Sequence, residues 1–264
     1  MIQSLVGVVL AMSFLSANAN PVQDGLKAAR SGQYEEARRL WLSAGNNADA
    51  FNNLGVLYEK GLGVPADRVQ ARDWYLKGAQ AGNRGAQNNL GVLLDKGVVP
   101  GQSDPVQAAR WYDEAAKRGD RNAMNNLAVL KEAGRGVPAD PAGALALYRR
   151  AAELGLAQAQ NNLGVVYEKG SLAPQNYEAA VAQYRAAAQQ GHGAAANNLG
   201  VLYGNGRGVP RNYVEAAYWF SIAANAGNRN GANNRDAAFR RLQPAEAEQV
   251  RARLAAQPRT NSAS

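Results

Sequence analysis

Apolar residues along this chain recur three and four positions apart, the spacing that places side chains on one face of a helix. Residues 48–60 show this pattern, with Ala50, Leu54 and Leu57 on one side. The pattern predicts a helix over this range with its apolar stripe turned towards a core. Gly55 lies beside Leu54, where a residue without a Cβ atom lets a neighbouring helix approach closely.

A second helix is predicted after a glycine-rich turn. The turn is Gly-Leu-Gly-Val-Pro at residues 61–65, which ends the first helix. Asp67 is the predicted N-cap of the second helix, because its side chain can accept hydrogen bonds from the unpaired N–H groups there. This helix is predicted to carry Trp74 and Tyr75 inward and to end at Gly82. The segment therefore predicts one helix–turn–helix pair.

The pair is repeated along the chain. Six Asn-Asn dipeptides recur with a nearly fixed period, starting at residues 52, 88, 125, 161, 197 and 233, and the steps between them are 36 or 37 residues. Self-similarity with such a period indicates a solenoid, in which each unit stacks on its neighbours. The predicted fold is therefore an all-α solenoid of helix–turn–helix repeats. The five predicted repeats are residues 48–83, 84–120, 121–156, 157–192 and 193–228.

Both ends of the repeat array are predicted to be capped. Residues 20–47 form a shorter N-terminal helical pair, and residues 229–257 form a partial sixth repeat followed by a closing helix that opens at Pro244. Terminal units have to cover the exposed ends of the core, so their divergence is expected. Residues 258–264 are predicted to be a disordered tail.

The first 19 residues are interpreted as a cleavable signal peptide. An apolar stretch over residues 5–15 precedes Ala17-Asn18-Ala19, the small-x-small pattern of a cleavage point. The stretch is too short to serve as a lasting transmembrane anchor. No Lys or Arg precedes it, and a buried hydrophobic helix is the alternative interpretation. We expect export to the periplasm.

The composition argues against most catalytic chemistry. The chain has no Cys, which excludes disulfides, thiol catalysis and cysteine metal sites, and its single histidine, His192, excludes a histidine metal cluster. No paired catalytic carboxylates or nucleophile motif stand out. The sequence therefore predicts no metal, no cofactor and no enzymatic activity.

The net charge of +8 is unevenly distributed. Residues 185–264 contain ten Arg/Lys and four Asp/Glu, so the C-terminal end is basic. Such an end can attract an acidic partner surface or an anionic envelope polymer, and the alternative is a solvated surface that keeps the protein in solution. Nucleic acid is not an expected partner of an exported protein.

The repeat itself resembles a known family. The pattern Ala-x-x-Asn-Leu-Gly-Val-x-Tyr-x-x-Gly-x-Gly-Val-Pro-x-Asp, followed by Ala, Trp-Tyr and Ala-x-x-Gly, resembles Sel-1-like repeats, a branch of the tetratricopeptide superfamily. The resemblance covers residues 48–242. Departures are Ala128 for Gly and Lys131 for Tyr in the third repeat, Leu94 for Tyr in the second, and residues 171–174 for the glycine-rich turn of the fourth.

The resemblance implies a right-handed α-superhelix whose first helices line a concave groove. It also implies adaptor or inhibitory work on other proteins. Exported bacterial members of the family include regulators of envelope sensor kinases, polysaccharide-export scaffolds and immunity proteins against phospholipase effectors of type VI secretion. A cysteine-rich, β-lactamase-like subgroup does not match, because this chain has no Cys.

The paired asparagines are the candidate binding residues. Asparagine is unfavourable inside a helix, because its side chain competes for backbone hydrogen bonds. The first Asn of each pair shares a helix face with a valine four residues on, so stacked repeats would present rows of amides and methyl groups to an extended peptide. The alternative is a structural role between repeats, which is favoured for the second Asn. The predicted groove consists of Asn52, Val56, Asn88, Val92, Asn125, Val129, Asn161, Val165, Asn197 and Val201.

Four acidic residues near the ends of the first helices are predicted either to ring this groove or to be solvated. They are Glu59, Asp95, Glu132 and Glu168. The leading functional hypothesis is a non-enzymatic periplasmic adaptor or regulator that binds a protein or peptide. The alternatives are an immunity protein that blocks a secreted effector and, less favoured, an enzyme acting on cell-wall material.

Overall fold

The computed structural model describes residues 20–97 and 103–257. The predicted signal peptide and the predicted tail lie outside these residues. Within the described ranges the chain forms fourteen α-helices and no β-strand. The chain divides into two compact units, residues 1–86 and 87–264, which we call the N-terminal and C-terminal units.

The helices follow one another as antiparallel pairs joined by short turns. They are α1 Pro21–Arg30, α2 Tyr34–Ser43, α3 Ala48–Lys60, α4 Arg68–Gln80, α5 Arg84–Lys96, α6 Pro105–Lys117, α7 Arg121–Ala133, α8 Pro141–Glu153, α9 Ala157–Lys169, α10 Tyr177–Gln189, α11 Gly193–Asn205, α12 Tyr213–Asn225, α13 Arg229–Phe239 and α14 Pro244–Ala255. The predicted helix over residues 48–60 is thus present as α3, and the all-α class is confirmed.

The turn inside each repeat is closed by a recurring hydrogen bond. In the first repeat Gly61 has a left-handed conformation with φ of 67°, and the N–H of Asp67 donates to the carbonyl of Tyr58 at 2.9 Å. The fourth repeat lacks the Gly-x-Gly-Val sequence, yet the N–H of Asn176 donates to the carbonyl of Tyr167 at the same 2.9 Å. The departure at residues 171–174 therefore leaves the closing bond of the turn in place.

The predicted N-caps of the second helices are confirmed. Side chains accept backbone N–H groups at all five positions, Asp67, Asp104, Asp140, Asn176 and Asn212. The structure adds caps on first helices that the sequence analysis missed, among them Asn47, Asp120 and His192. Nδ1 of His192 accepts from the N–H of Ala195 at 3.2 Å, so the one histidine of the chain begins α11.

In four of the five repeats the core contains an aromatic ring of the second helix packed against a glycine of the first helix. A Cβ atom built on Gly91, Gly164 or Gly200 would lie 2.6–2.7 Å from the facing ring, which belongs to Tyr112, Tyr184 and Phe220 respectively. The close approach predicted for Gly55 is present too, against the ring of Tyr75. These contacts explain why glycine follows Leu in these first helices.

One inward prediction was wrong. Tyr75 is buried, but the preceding residue, Trp74, is only half-buried. Its ring stacks on Phe51 with centroids 5.8 Å apart and an interplanar angle of 28°, and the ammonium of Lys77 lies 4.1 Å from its centroid. Adjacent positions on a helix point about 100° apart, so one large ring filling the core leaves its neighbour at the edge.

Candidate functional site

The paired asparagines form a ladder between successive first helices in the C-terminal unit. In each case the second Asn of one repeat donates through Nδ2 to Oδ1 of the first Asn in the repeat before it. The bonds are Asn126 to Asn88 at 3.1 Å, Asn162 to Asn125 at 2.9 Å, Asn198 to Asn161 at 3.3 Å and Asn234 to Asn197 at 2.9 Å. The ladder thus joins five successive first helices, from α5 to α13.

Part of the ladder is a continuous chain of amides. Asn162 donates to Asn125, Asn125 to Asn126 at 3.4 Å, Asn126 to Asn88, and Asn88 to Asn89 at 3.4 Å. Each amide in the middle of the chain both donates and accepts, and such bonds polarise one another. This arrangement fixes the register of one repeat on the next. These hydrogen bonds also offset the free-energy cost of placing asparagine in a helix, which follows from its low helix propensity.

The predicted structural role of the second asparagines is therefore present, and the first asparagines are their acceptors. Asn125 and Asn161 are buried, with exposures of 5% and 8%. The other two acceptors of the ladder, Asn88 and Asn197, are half-buried. Direct binding of a partner by these amides stays a prediction, and each Oδ1 already accepts one hydrogen bond from its own chain.

The predicted groove valines lie on the same helices and are more accessible. Val129 is the most open, at 38% exposure, while Val92, Val165 and Val201 are half-buried against the core. In the N-terminal unit, Asn52 and Val56 on α3 are both half-buried. The ladder face of the C-terminal unit, which we define as these valines with the asparagines between them, therefore presents methyl groups set in fixed rows.

The four acidic residues bind within the chain and do not ring a free groove. Oε2 of Glu59, Glu132 and Glu168 accepts the hydroxyl of the buried tyrosine of the following helix. The pairs are Tyr75 to Glu59 at 2.6 Å, Tyr148 to Glu132 at 2.8 Å and Tyr184 to Glu168 at 2.6 Å. Burial, together with the neighbouring carboxylate, raises the pKa of each of these three phenols above its ordinary value.

In the second repeat the acidic residue is Asp95, whose side chain is one methylene shorter than that of glutamate. Its carboxylate pairs with an arginine. Its Oδ1 lies 2.8 Å from Nη1 of Arg135, and its Oδ2 accepts from Nη2 at 3.1 Å. Arg135 belongs to the turn of the third repeat, so this pair joins two repeats. Burial raises the pKa of the facing Tyr112 as well. The acidic positions therefore stabilise the stack.

A second candidate site is an aromatic cavity in the N-terminal unit. It is open, has a volume of about 580 Å³ and is lined by Trp41, Phe51, Trp74 and Lys77 among others. Sequence reasoning missed it, because it treated Trp74 as a core residue. No group of three or more potential metal-ligating side chains is present among the described residues. None of the helices that the structure describes is long and apolar enough to cross a bilayer.

Comparison with known proteins identifies the family to which this chain belongs. The Sel1 repeat model matches residues 48–83, 85–120, 121–156, 157–192 and 193–228. A Sel1 repeat protein from Oxalobacter formigenes is 31% identical, with 91% of this chain and 100% of that chain covered and a TM-score of 0.77. The fold is thus an all-α solenoid of stacked helix pairs, a fold typical of protein–protein interaction. The chain belongs to the Sel1 repeat family.

More distant solved structures share the fold. The protein c5321, a protective antigen of uropathogenic Escherichia coli, is 26% identical, with 88% of this chain and 59% of that chain covered and a TM-score of 0.55. The immunity protein Pa5087 from Pseudomonas aeruginosa is 21% identical, with 81% and 84% covered and a TM-score of 0.52. A search of curated proteins gives no match.

The ladder makes a direct prediction about stability. Asn125→Ala removes the acceptor of Asn162 and the donor to Asn126 at a buried position, so we expect a loss of about 1–3 kcal/mol. The matched control is Asn122→Ala, an exposed position of the same helix α7, where we expect a change within about 0.5 kcal/mol. Urea unfolding followed by circular dichroism measures both, and equal effects would contradict the ladder's role.

Proposed function

We propose that this Sel1 repeat protein is a non-enzymatic binding module that holds a partner protein or extended peptide on the ladder face. The observation that carries the proposal is the amide ladder. It sets successive first helices of the C-terminal unit in one register, so the valines between the asparagines are pre-organised in rows. A pre-organised surface loses little conformational entropy when a partner binds, which favours affinity.

In this proposal the asparagines and the valines have different tasks. The asparagines set the spacing of the repeats, and the valines contact apolar side chains of the partner. Val129 is the central contact, because it is the most exposed valine of the row. The remaining Oδ1 lone pairs of the half-buried Asn88 and Asn197 can accept a backbone N–H of the partner. The site residues predicted from the sequence in the C-terminal unit thus stay part of the proposal, with the ladder as their support.

The test substitutes the valine and leaves the ladder intact. Val129→Arg places a long cation in the middle of the face, and we expect it to abolish capture of a partner from periplasmic extract. The matched control is Val106→Arg on α6, a second helix, where the valine is 49% exposed. Both positions are exposed, so both variants are expected to keep the helix content and unfolding midpoint of the parent.

The two variants distinguish binding on the ladder face from binding on the second helices. Loss of the partner with Val129→Arg alone supports the ladder face. Loss with Val106→Arg alone assigns binding to the second helices, and retention by both variants rejects the proposal. If the captured partner is a toxic secreted effector whose activity falls in the complex, the module is an inhibitor, the alternative drawn from the sequence. Immunity proteins of about a fifth sequence identity share this fold, and that likeness concerns the fold alone.

Periplasmic location belongs to the same proposal. It rests on the signal-peptide pattern at residues 1–19. Fractionation of cells that produce the chain with a C-terminal tag tests it. The expected product is periplasmic and starts at Asn20 by N-terminal sequencing. A cytoplasmic product that keeps Met1 would contradict export.

A further inference from the structure

Three arginines and two tyrosines form a cluster on the turns of the last repeats. The guanidinium of Arg207 lies 5.6 Å from the ring centroid of Tyr177. Those of Arg211 and Arg241 lie 5.8 and 5.0 Å from the centroid of Tyr213. Nη1 of Arg241 also donates to the hydroxyl of Tyr213 at 2.7 Å. We call Arg207, Arg211 and Arg241 the arginine edge, and all three side chains are exposed.

Contacts between backbone segments make these groups neighbours. The turn that holds Arg207 packs against the first residues of α10, since a Cβ atom on Gly208 would collide with the backbone of Tyr177 and lie 2.7 Å from the nitrogen of Glu178. The same turn continues through Arg211 to Tyr213, the first residue of α12. The ring of Tyr213 then meets Arg241 from the next turn. The cluster therefore spans two successive turns of the C-terminal unit.

The third repeat has an arginine, Arg135, at the position equivalent to Arg207, and this arginine has the carboxylate partner that Arg207 lacks in the described part of the chain. Arg135 and Arg207 both stand between the two glycines of their turns. Arg135 forms an ion pair with Asp95 of the preceding repeat at 2.8 Å. Glu168 takes the place of Asp95 for Arg207, but its Oε2 accepts the hydroxyl of Tyr184. Among the described residues, the arginine edge therefore has ring partners and no carboxylate within ion-pair distance.

The N-cap residues of the second helices also lose their negative charge towards the C-terminal end of the chain. The caps of the second helices are aspartates in the first three repeats, Asp67, Asp104 and Asp140, and asparagines in the last two, Asn176 and Asn212. Asparagine forms the same capping hydrogen bonds without the charge. In the turn of the fifth repeat, the loss of the capping carboxylate coincides with the presence of Arg207 and Arg211. Another arginine of this region, Arg253, forms an ion pair with Glu215 at 2.6 Å.

A guanidinium group restrained by a neighbouring aromatic ring is positioned to donate hydrogen bonds to a ligand. The cation–π attraction restrains each guanidinium group, and the N–H groups that do not already bond within the chain, as Nη1 of Arg241 does with Tyr213, can donate to an acceptor. An arginine fixed in this way loses less side-chain entropy on binding a carboxylate than a freely moving one. Glu178 is exposed at the start of α10, next to Tyr177.

We propose that the arginine edge is a second binding surface, which takes an acidic segment of a protein partner. The three guanidinium groups are distributed over two turns, so they match carboxylates spaced along a chain. Bidentate hydrogen bonds from each fork to a carboxylate would provide the recognition. The inference goes beyond the proposed function, since it uses turn residues and requires none of the ladder valines.

The test uses the purified full chain and a fluorescent oligoglutamate peptide, with oligoglutamine as the neutral probe. Anisotropy at low salt is expected to show binding of oligoglutamate alone, weakening as salt rises because the contacts are exposed. The variant Arg207→Gln, Arg211→Gln, Arg241→Gln is expected to bind at least about fivefold more weakly. The control Arg110→Gln, Arg149→Gln, Arg229→Gln removes the same charge from exposed arginines that form no ion pair in the described structure, and is expected to change binding less than about twofold.

Three results would overturn the proposal. The first is no binding of oligoglutamate by the parent chain, and the second is equal weakening in both triple variants, which would mean bulk charge attraction. The third is binding of anionic lipid vesicles through these arginines without binding of oligoglutamate, which would make the surface a membrane contact. A folding defect is distinguished by helix content, and the variant Arg207→Lys, Arg211→Lys, Arg241→Lys, which keeps the charge, is expected to bind with intermediate strength. Failure of this test leaves the ladder-face proposal untouched, because Val129 is unchanged in every variant.

Discussion

Gly200→Leu is expected to destabilise the protein by about 3 kcal/mol or more. A Cβ atom at this position would lie 2.7 Å from two carbons of the Phe220 ring, far inside van der Waals contact. Both residues are buried, and Phe220 is flanked by the buried Trp219, so the ring has little room to move. Urea unfolding followed by circular dichroism measures the loss as a lower midpoint.

The same substitution four residues later is the control. Gly204 lies in the same helix, α11, and a Cβ atom there would lie 3.8 Å from the Cβ atom of Ala216, an ordinary contact. Gly204→Leu is therefore expected to stabilise the chain by about 0.5–1 kcal/mol through helix propensity. Effects of the same sign and size at both positions would show that the packing of Phe220 does not require glycine.

Leucine is the informative substitution because the third repeat tolerates alanine. Ala128 occupies the position equivalent to Gly200 and is fully buried, and Tyr148, the ring of the same repeat, is also buried. One methyl group can thus be placed between a first and a second helix of this family. Gly200→Ala is accordingly expected to cost less than Gly200→Leu.

Much of the fold could be predicted from the sequence, because each element has a local chemical signal. Apolar spacing located the helices, and the side chain of Asp67 identified a cap before any coordinates were known. The period of the Asn-Asn dipeptides then indicated the stacking of repeats. Trp74 was misplaced since two adjacent aromatics cannot both occupy one core position, and the sequence does not say which of them does.

The candidate site was harder to predict, because its contacts connect repeats. Asn125 and Asn126 are neighbours in sequence, yet one accepts from the repeat after it and the other donates to the repeat before it. Periodicity shows that such residues recur but not which atoms meet. A signal for the Tyr–Glu pairs was nevertheless present in the sequence. The fifth repeat has Phe220 in place of the tyrosine and Gly204 in place of the acid, so both partners are lost together.

These tyrosines make the protein sensitive to alkali. In the folded chain the pKa of Tyr75, Tyr112, Tyr148 and Tyr184 is raised, chiefly by burial. In the unfolded chain these phenols ionise near pH 10. A raised pKa means that the folded state holds its protons longer, so the stability it confers is complete below pH 10 and is lost as the pH rises beyond it. The expected loss is up to about 1.4 kcal/mol per pH unit for each phenol that stays protonated.

Urea unfolding between pH 8 and 12, with tyrosinate absorbance recorded in parallel, tests this directly. The four buried phenols are expected to ionise only as the chain unfolds. The variant Tyr148→Phe, Tyr184→Phe loses two hydrogen bonds, so at pH 8 it is expected to be less stable by about 0.5–1.5 kcal/mol per bond. Above pH 10 the difference should shrink, because phenylalanine has no proton to lose. A gap that stays constant from pH 8 to 12 would mean that burial of these phenols does not govern alkaline unfolding.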